Sequence, residues 1–457
     1  MDKFDTICAI ATPPGSGAIA VIRLSGDNAV NIADIVFQSA KKTKKLINQK
    51  ANTIHFGTIT DDNQAIDEVL LSIFKAPHSY TGEDSIEISC HGSNHIQSRI
   101  LELLINNGAR LAQPGEFTLR SFQNGKMDLS QAEAVADLIA SSSESTRKVA
   151  MNQMRGGFRD EIQDLRVQLL NFISLIELEL DFSEEDVEFA DREQLKNLVR
   201  KIDRHLKTLI DSFKLGNVIK NGIPVAIIGE PNVGKSTLLN ALLNEDKAIV
   251  SDIPGTTRDA IEDVVNLNGV LFRFIDTAGI RETKDTIENL GIERTFSKIE
   301  NAEIVLLMVD ASYSNIENSI SEIKNKIGDK KLLIIINKID LIGKTDLEAI
   351  KSLYETIEIA AKHKKNIKEL IDKLTTAANV SSIDQGDTII TNTRHFEALS
   401  IAWEAIQRVL DGMENQIPSD FLAMDIREVL HYLGEISGEV TNDEILGNIF
   451  KNFCIGK

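Results

Sequence analysis

Hydrophobic residues follow three different patterns along the 457-residue chain. In residues 1 to about 120, short alternating runs predict strands, separated by segments with helical spacing. In about 128–215 and 385–457, apolar positions recur every three or four residues without a convincing strand pattern. In about 216–378, apolar strands alternate with helical stretches. The chain therefore predicts a small α/β domain, two helical segments and a second α/β domain between those segments.

The N-terminal region predicts strands at 6–10, 18–24, 69–74 and 85–89, and helices at 27–37 and 95–105. Residues 15–20 read G-x-G-x-x-A, which is the spacing of a dinucleotide-binding fingerprint. That fingerprint must follow a strand and open a helix, whereas this one opens a strand. We therefore reject a dinucleotide site here.

Both flanks of the middle region predict helices, at 167–180, 195–209, 395–410 and 421–436. Either flank alone would leave an apolar stripe in water. We therefore predict one helical bundle formed from both flanks, with the middle domain inserted between them. Ser130 and Glu133 have S-x-x-E spacing, which predicts a capping box at the start of a further helix.

Two stretches near these helices have unusual composition. The acidic run 181–188 lacks the glycine and ligand spacing of a calcium loop, which favours a solvated connection between helices. The end of the chain is apolar where chain ends are usually polar, so we expect it to dock on the protein. Cys454 within it is either a small buried hydrophobe or a reactive thiol.

The middle region predicts strands at 225–228, 271–275, 304–309, 332–336 and 356–359, alternating with helices. This order is typical of a doubly wound parallel sheet. Residues 229–236 follow the first of these strands and read G-x-x-x-x-G-K-S. Strand before and helix after predict a phosphate loop, in which Lys235 reaches the β- and γ-phosphates and Ser236 holds Mg²⁺.

Two later motifs favour GTP. Residues 276–279 (D-T-A-G) follow the second strand, which places Asp276 to hold Mg²⁺ through water and the Gly279 N–H to meet a γ-phosphate. Residues 337–340 (N-K-I-D) follow the fourth strand. Asp340 can accept two hydrogen bonds from guanine, whereas adenine has no such donor pair. Residues 360–362 would complete the base pocket.

The residue after the D-T-A-G motif is Ile280, so the glutamine that positions water in Ras-type switches is absent. The phosphate loop holds no arginine either, and an arginine-like charge is worth about 10³–10⁵ in rate. Asn232 could supply an oxygen to a monovalent cation between the phosphates, or it is simply a turn residue. The loop 251–259 could add backbone carbonyls, with Thr257 as the second Mg²⁺ ligand.

Composition limits the class of protein. The net charge is −19, so bulk charge does not hold the chain to nucleic acid, and any RNA contact must be local or supplied by a partner. No apolar run approaches the roughly 20 residues of a membrane span, and the N-terminus lacks a signal-peptide plan. Three cysteines, Cys8, Cys90 and Cys454, lie far apart, which indicates a reducing cytoplasm.

Several tight turns of the N-terminal region suggest a pocket built from loops, without naming a ligand: 79–84, 113–118 and 124–126. Arg23 lies in an apolar strand and is either a solvated edge residue or a ligand clamp. Glu87 faces away from Ile86 and Ile88, so alone it is an exposed residue of an alternating strand.

With these residues assembled, the chain closely resembles the MnmE (TrmE) family of tRNA-modification GTPases over its whole length. Beyond the GTPase motifs, the motifs that carry the resemblance are D-T-I at 5–7, A-T-P-P-G at 11–15, Y-T-G-E-D at 80–84, P-G-E-F at 114–117, D-L-S-Q-A-E-A at 128–134, G-T-T-R-D at 255–259 and F-C-I-G-K at 453–457. The resemblance implies an N-terminal folate-binding α/β domain that dimerises (1–120), a discontinuous helical domain (121–215 and 379–457) and an inserted Ras-like GTPase domain (216–378).

The resemblance also implies site residues. A 5-formyltetrahydrofolate-type carrier would bind near Arg23, Glu87, Lys126 and Lys457. K⁺ maps to Asn232, to Thr256 and to the backbones of Ser251 and Ile253; Mg²⁺ maps to Ser236 and Thr257; and the glutamate that orients water maps to Glu288. The nucleotide-binding set comprises Asn232, Val233, Gly234, Lys235, Ser236, Thr237, Ser251, Asp252, Ile253, Pro254, Gly255, Thr256, Thr257, Asp276, Thr277, Ala278, Gly279, Asn337, Lys338 and Asp340. One departure is Ala360, where the family often has serine; only a backbone N–H is needed there.

The implied reaction adds a carboxymethylaminomethyl or aminomethyl group to C5 of the wobble uridine of certain tRNAs. The implied partners are a second copy of the chain, the FAD-containing MnmG protein and tRNA. Two rivals stay open at this point. One is a ribosome-assembly switch GTPase without modification chemistry, and the other is a self-sufficient folate-dependent transferase in which GTP is only regulatory.

Overall fold

The fold is described from a computed structural model of the chain. The structure describes residues 5–41, 44–62, 64–181, 192–244, 263–275, 299–312, 320, 323–324, 327–328, 330–341, 355–378, 388–441, 443–451 and 453–456. Contacts divide the chain into two compact units. The first unit takes in Met1–Ala136, Arg159–Arg166 and His431–Lys457, and the second takes in Asp137–Phe158 and Val167–Leu430.

In chain order the described helices are α1 Ala29–Val36, α2 Asn94–Asn106, α3 Glu116–Gln123, α4 Leu129–Ala140, α5 Glu144–Met154, α6 Gly157–Asp181, α7 Arg192–Asn221, α8 Lys235–Leu243, α9 Ile367–Ala378, α10 Thr393–Glu414, α11 Ser419–Ser437 and α12 Asp443–Lys451. The described strands are β1 Ile7–Ile10, β2 Ile19–Ser25, β3 Phe37–Ser39, β4 Thr53–Asp61, β5 Gln64–Phe74, β6 Ser85–His91, β7 Arg110–Leu111, β8 Ile223–Ile228, β9 Asp263–Leu267, β10 Val270–Phe274, β11 Ile304–Asp310, β12 Lys331–Asn337 and β13 Thr356–Glu358.

The sheet of the first unit has the strand order β3-β4-β5-β6-β2-β1-β7. Its neighbours pair antiparallel except β1 and β7, which are parallel. Residues of α1 and α2 share one apolar core with inward-facing strand residues such as Ile22, Leu71 and Ile88. The predicted strands and helices of this region are therefore confirmed, and β2 begins just after the G-x-G segment, as expected for a turn that opens a strand.

Strand β4 was not predicted from the sequence because its apolar residues lie on both faces. Ile54 and Phe56 are 68% and 53% exposed on one face, while Ile59 is buried on the other. Gly57 also lies on the buried side, where a Cβ would come within 2.5 Å of the Phe37 ring. A glycine at an inward position and apolar residues at outward positions leave no clean period-two pattern.

Helix α4 is capped two residues earlier than predicted. The Asp128 carboxylate accepts from the Gln131 N–H at 2.8 Å, and the Gln131 side-chain oxygen accepts from the Asp128 N–H at 3.0 Å. Ser130 lies inside the helix and donates to Asp128 Oδ1. The capping box is therefore Asp128–Gln131, and the prediction for Ser130 and Glu133 is wrong; an Asp with Gln at N3 satisfies the same two N–H groups.

The C-terminal segment docks within the first unit, as predicted. Phe450 at the end of α12 is 3% exposed and packs with Leu129 and Ala132 of α4. The Gly115 N–H donates to the carbonyl of Cys454 at 3.3 Å. Gly456 has φ +95°, and a Cβ there would lie 2.3 Å from the carbonyl oxygen of Ile10. The chain end is thus fitted against β1 at a position that only glycine can occupy.

The predicted helices of the second unit are confirmed and run longer than predicted. Helix α7, which precedes the middle region, packs along α10, which follows it. The rings of Phe213 and Phe396 stack with centroids 4.3 Å apart. Asp203 accepts from the Trp403 indole and from Gln407, so the two helices are joined by polar contacts as well as apolar ones. The acidic run beyond Asp181 lies outside the described residues.

The sheet of the second unit has the order β13-β12-β11-β8-β10-β9, parallel except for β9 at one edge. Each predicted strand is confirmed. Strand β9 was missed, although Asn268-Gly269 joins it to β10 with φ +52° and +84°. Asn-Gly between two apolar runs is a strong hairpin signal, so the sequence did carry this information. Among the described helices of the chain, none is long and apolar enough to span a membrane.

Candidate nucleotide site and N-terminal pocket

The loop between β8 and α8 has the backbone that a phosphate cradle requires. Gly229 and Gly234 have φ +147° and +103°, and Asn232 has φ +61°. Gly234 caps α8, so the first N–H groups of that helix face the loop. The predicted strand, loop and helix are present in this order. Asn232 is exposed, Ser236 is half-buried in the first turn of α8, and Thr237 is exposed.

The Lys235 ammonium lies over the phosphate loop. Its Nζ donates to the carbonyl of Gly229 at 2.8 Å and to that of Glu230 at 2.8 Å. A cation held by two loop carbonyls stays over the turn rather than extending into solvent. It can exchange these carbonyls for phosphate oxygens, which are stronger acceptors because they are charged.

Asn337 joins the phosphate loop to the loop that follows β13. Its side chain is buried; Nδ2 donates to the carbonyl of Val233 at 2.8 Å, and Oδ1 accepts from the Ala361 N–H at 3.0 Å. A Cβ at Gly234 would lie 2.4 Å from Asn337 Nδ2, so glycine is required for this contact. The Asn337 amide therefore sets the spacing between the cradle and 360–362, the segment expected to complete the base pocket.

Lys338 and Asp340 follow Asn337 at the carboxyl end of β12. Lys338 has φ +66°, and its Nζ donates to Asp310 Oδ2 at 2.6 Å. Burial would raise the pKa of Asp310, but the hydrogen bonds from Lys338 and Ser312 outweigh it and lower that pKa. Asp340 Oδ2 lies 3.5 Å from His363 Nε2, and its side chain is one-third exposed. Asp340 therefore keeps acceptor capacity for a ligand.

Asp310 is not among the site residues predicted from the sequence. Its only signal was its position at the end of a buried strand, next to the strand that ends in 337–340. In a parallel sheet such ends meet at one edge.

The remaining predicted nucleotide and cation residues lie outside the described residues: Ser251, Asp252, Ile253, Pro254, Gly255, Thr256, Thr257, Asp276, Thr277, Ala278, Gly279 and Glu288.

A second cluster lies in the first unit around Arg23. Arg23 and Glu87 face each other across β2 and β6, and Glu87 Oε1 accepts from Arg23 Nε at 3.0 Å and Nη2 at 2.7 Å. Strand β2 lies between β6 and β1, so the interpretation of Arg23 as an edge residue is wrong. Glu87 is part of an ion pair rather than a free surface carboxylate.

Arg23 also touches the docked chain end and two aromatic rings. Its Nη1 donates to the carbonyl of Gly456 at 3.4 Å. Its guanidinium carbon lies 5.3 Å from the Tyr80 ring centroid and 5.6 Å from that of Phe117. Burial is the main cause that raises the pKa of Tyr80. A planar cation beside aromatic rings and a carboxylate suits a flat, polar ligand.

Lys126 is tied to the same turn as Tyr80. Its Nζ donates to the carbonyl of Pro77 at 2.9 Å, and its N–H donates to the carbonyl of Ser121. The Ser121 hydroxyl in turn donates to the carbonyl of Tyr80 at 2.7 Å. Lys457, the fourth residue predicted for this pocket, lies outside the described residues.

An ionic network that the sequence analysis missed holds these loops. Arg120 bonds Asp5, Glu83 and Glu116, and Arg110 bonds Asp5 and Glu116. Burial would raise the pKa values of Asp5 and Glu116, but bonds from the two arginines outweigh it and lower both. With three carboxylate partners for Arg120 and two for Arg110, the arginines fix the turn at 80–84 against α3.

The cysteines are free thiols. Cys8 and Cys90 are buried, and burial raises the pKa of each to about 11. Cys454 is exposed, so its interpretation as a small buried hydrophobe is wrong. Its neighbour Ile455 is also exposed, while the docking contacts fall on Phe450 and Gly456.

Comparison with known proteins agrees with this arrangement. Residues 129–454 match the model of the MnmE helical domain, and residues 6–126 match that of the GTP-binding protein TrmE N-terminus. The chain belongs to the MnmE family. The tRNA modification GTPase MnmE of Flavobacterium psychrophilum is 58% identical over 99% of both chains. That of Bacteroides thetaiotaomicron is also 58% identical, again over 99% of both chains.

Family membership confirms the resemblance inferred from the sequence. MnmE relatives align along the whole chain, so both α/β regions and both helical flanks are common to them. A solved G domain, that of the T. maritima FeoB iron transporter, is 26% identical, and the match covers 34% of this chain and 99% of that one. Its TM-score of 0.26 is too low to support an argument about fold, which rests here on strand order and the phosphate loop.

We predict that Asn337→Ala weakens guanine nucleotide binding by about tenfold or more. The change leaves the Val233 carbonyl and the Ala361 N–H without their buried partner, which costs about 1–3 kcal/mol for each unsatisfied group. The measurement is the Kd of a fluorescent GDP analogue. Asn244→Ala is the matched control, because the Asn244 side chain donates to the carbonyl of Asn240 at the exposed end of α8 and spans no two loops among the described residues. Equal affinity of both variants and the parent would show that the Asn337 bridge does not position the nucleotide.

Proposed function

We propose that this chain is a GTP hydrolase that acts in tRNA modification, together with an FAD-containing MnmG-type partner. The reaction adds a carboxymethylaminomethyl or aminomethyl group to C5 of the wobble uridine of certain tRNAs. The observation that carries the proposal is the full-length match to curated tRNA modification GTPases. A phosphate loop, the Asn337 bridge and Asp340 in one described unit support the GTPase part.

The described residues have the donor types that GTP and Mg²⁺ need. Lys235 binds the β- and γ-phosphates by exchanging the Gly229 and Glu230 carbonyls for phosphate oxygens. Asp340 accepts from the guanine ring. The Ser236 hydroxyl, with Thr257, is a hard oxygen ligand for Mg²⁺, which neutralises charge on the phosphates when bound.

Asn232 is assigned to a monovalent cation. Its left-handed backbone places an exposed side chain within the phosphate loop, and an amide oxygen is a suitable ligand for K⁺. Ser251 and Ile253 would add backbone carbonyls, and Thr256 would complete the set. When bound there, the cation would supply positive charge of the kind an arginine finger supplies elsewhere, and Glu288 would orient the attacking water.

The Arg23 cluster is assigned to a 5-formyltetrahydrofolate-type carrier, with Glu87, Lys126 and Lys457 as further contacts. A cation beside Tyr80 and Phe117 suits a flat conjugated ring, and Glu87 can accept from ring N–H groups. The N-terminal domain is also assigned to homodimer formation. With −19 net charge on this chain, the partner would supply much of the contact to tRNA.

We predict that modified wobble uridine forms only when this chain, the flavin partner, GTP and the one-carbon carrier are all present. The measurement is mass spectrometry of nucleosides from tRNA treated with the complete and the depleted mixtures. Modified nucleoside made without the flavin partner would favour a self-sufficient transferase. Absence of modification, combined with binding to a ribosomal subunit, would favour an assembly switch.

We predict that GTP turnover is at least tenfold faster in K⁺ than in Na⁺ at equal ionic strength, because the proposed ligand set around Asn232 is assigned to K⁺. Glu288→Ala should lower kcat in K⁺ while nucleotide Kd stays within about twofold, as expected for a residue that acts only in the transition state. Equal rates in the two salts would show that K⁺ does not contribute to GTP turnover. A large loss of nucleotide affinity in the variant would make Glu288 structural.

We predict that Arg23→Ala lowers affinity for 5-formyltetrahydrofolate by at least about tenfold, since a charge-assisted contact contributes about 1.5–3 kcal/mol. The measurement is isothermal titration of the full chain. Arg99→Ala is the control, because Arg99 lies in the same unit and forms exposed ion pairs with Asp61 and Glu102. If both variants bind the carrier as the parent does, the pocket is elsewhere.

A further inference from the structure

Helix α7 is strongly basic in a chain that is strongly acidic. Its residues 192–221 include eight Lys or Arg and three Asp or Glu, which makes the helix +5, whereas the whole chain is −19. Like charges collected on one element repel one another, so a helix this basic stands out from the acidic remainder of the chain. Their position on the helix decides whether they form one surface.

The basic residues of α7 lie on its solvent side. The apolar residues Leu195, Val199, Ile202, Leu206 and Leu209 are buried. Arg200, Lys201, Arg204, Lys207 and Lys214 are exposed on the opposite side, and we refer to these five as the α7 basic face. At 1.5 Å per residue the face extends over about 21 Å, enough to follow several phosphates of a nucleic-acid strand.

Neighbouring carboxylates neutralise this face only in part. Asp203 is already used, since it accepts from Trp403 Nε1 at 2.8 Å and Gln407 Nε2 at 2.5 Å. Lys207 pairs with Asp211 at 3.0 Å, Arg200 lies 3.9 Å from Glu414, and Lys214 lies 4.0 Å from Glu303.

Exposed pairs of this kind are weak and exchange readily for a phosphate. Within the described ranges, neither Lys201 nor Arg204 has a carboxylate partner. Arg204 Nε donates to the carbonyl of Arg200, which holds its side chain along the helix.

An aromatic ring lies beside the same face. Trp403 is the single tryptophan of the sequence; its side chain is half-buried, and Lys207 Nζ lies 5.2 Å from the ring centroid. The bond to Asp203 fixes the indole, so its remaining surface is held in one orientation. Basic side chains next to a fixed aromatic ring are the combination that binds a phosphate backbone and an unpaired base.

We propose that the α7 basic face binds the tRNA phosphate backbone. The identity of the polyanion rests on the proposed function, whereas the position of the surface rests on the contacts above. An acidic surface of a protein partner is the competing occupant, and the experiment separates the two.

The test compares the full chain with a triple variant, Lys201→Gln, Arg204→Gln and Lys214→Gln. Kd for labelled tRNA is measured by fluorescence anisotropy at several salt concentrations between about 50 and 200 mM. Each lost phosphate contact should flatten the slope of log Kd against log salt by about 0.7–0.9. We expect about tenfold weaker binding or more, and a slope smaller by about 2. GTP turnover and the elution volume of the complex with the flavin partner should not change.

The matched control removes three charges elsewhere, with Lys41→Gln, Lys44→Gln and Lys50→Gln on exposed positions of the first unit. This variant should bind tRNA with the parent slope. Equal loss in both triple variants would mean that only net charge matters, and it would overturn the proposal. Unchanged tRNA affinity of the α7 variant would overturn the proposal as well. So would a variant that no longer binds the flavin partner but still binds tRNA as the parent does.

Failure of the proposed function gives a different result. The parent chain would then bind tRNA through α7, and charge removal would weaken that binding, yet no modified nucleoside would form in the complete mixture. Conversely, if the α7 variant binds tRNA with the parent Kd and modified nucleoside still forms, the proposed reaction stands and the α7 basic face has no part in tRNA binding.

Discussion

Docking of the C-terminal segment on the N-terminal sheet is the contact on which the Arg23 pocket depends. Arg23 and Gly456 are 433 positions apart, yet Arg23 Nη1 reaches the Gly456 carbonyl. Two features enforce this contact: Phe450 is buried against α4, and Gly456 approaches Ile10 more closely than any side chain would allow. The Arg23 pocket is therefore completed only when the chain end has folded back, which links the proposed ligand site to the integrity of the helical flank.

The nucleotide site also depends on a contact between segments that are distant in the sequence, and here a single side chain makes the contact. The buried Asn337 amide satisfies backbone groups of two loops, one that cradles phosphates and one that borders the base. An unmet buried backbone group costs about 1–3 kcal/mol, so the two loops keep a fixed spacing. Lys338 and Asp310 form a second link at the same strand ends. One side chain thus links the two loops to which phosphate and base recognition are assigned.

Much of this could be predicted from local patterns, because strand alternation, helical spacing and the phosphate loop each occupy a few consecutive residues. The failures have physical causes. Ser130 has cap spacing, but Asp128 is the stronger acceptor and begins the helix two residues earlier. Arg23 could not be placed because its strand neighbours are remote in sequence. The Arg110–Arg120 network and Asp310 were missed for the same reason, since no local pattern marks an ion pair between distant segments.

We propose that GTP hydrolysis by the second unit drives tRNA modification that also needs the first unit. The most direct measurement replaces GTP by a non-hydrolysable analogue in the complete mixture and follows modified wobble uridine over many turnovers. We expect nucleotide to stay bound while multiple-turnover modification falls to background, and excess GTP to restore modification. Modification at the full rate with the analogue, or with no nucleotide at all, would contradict the account.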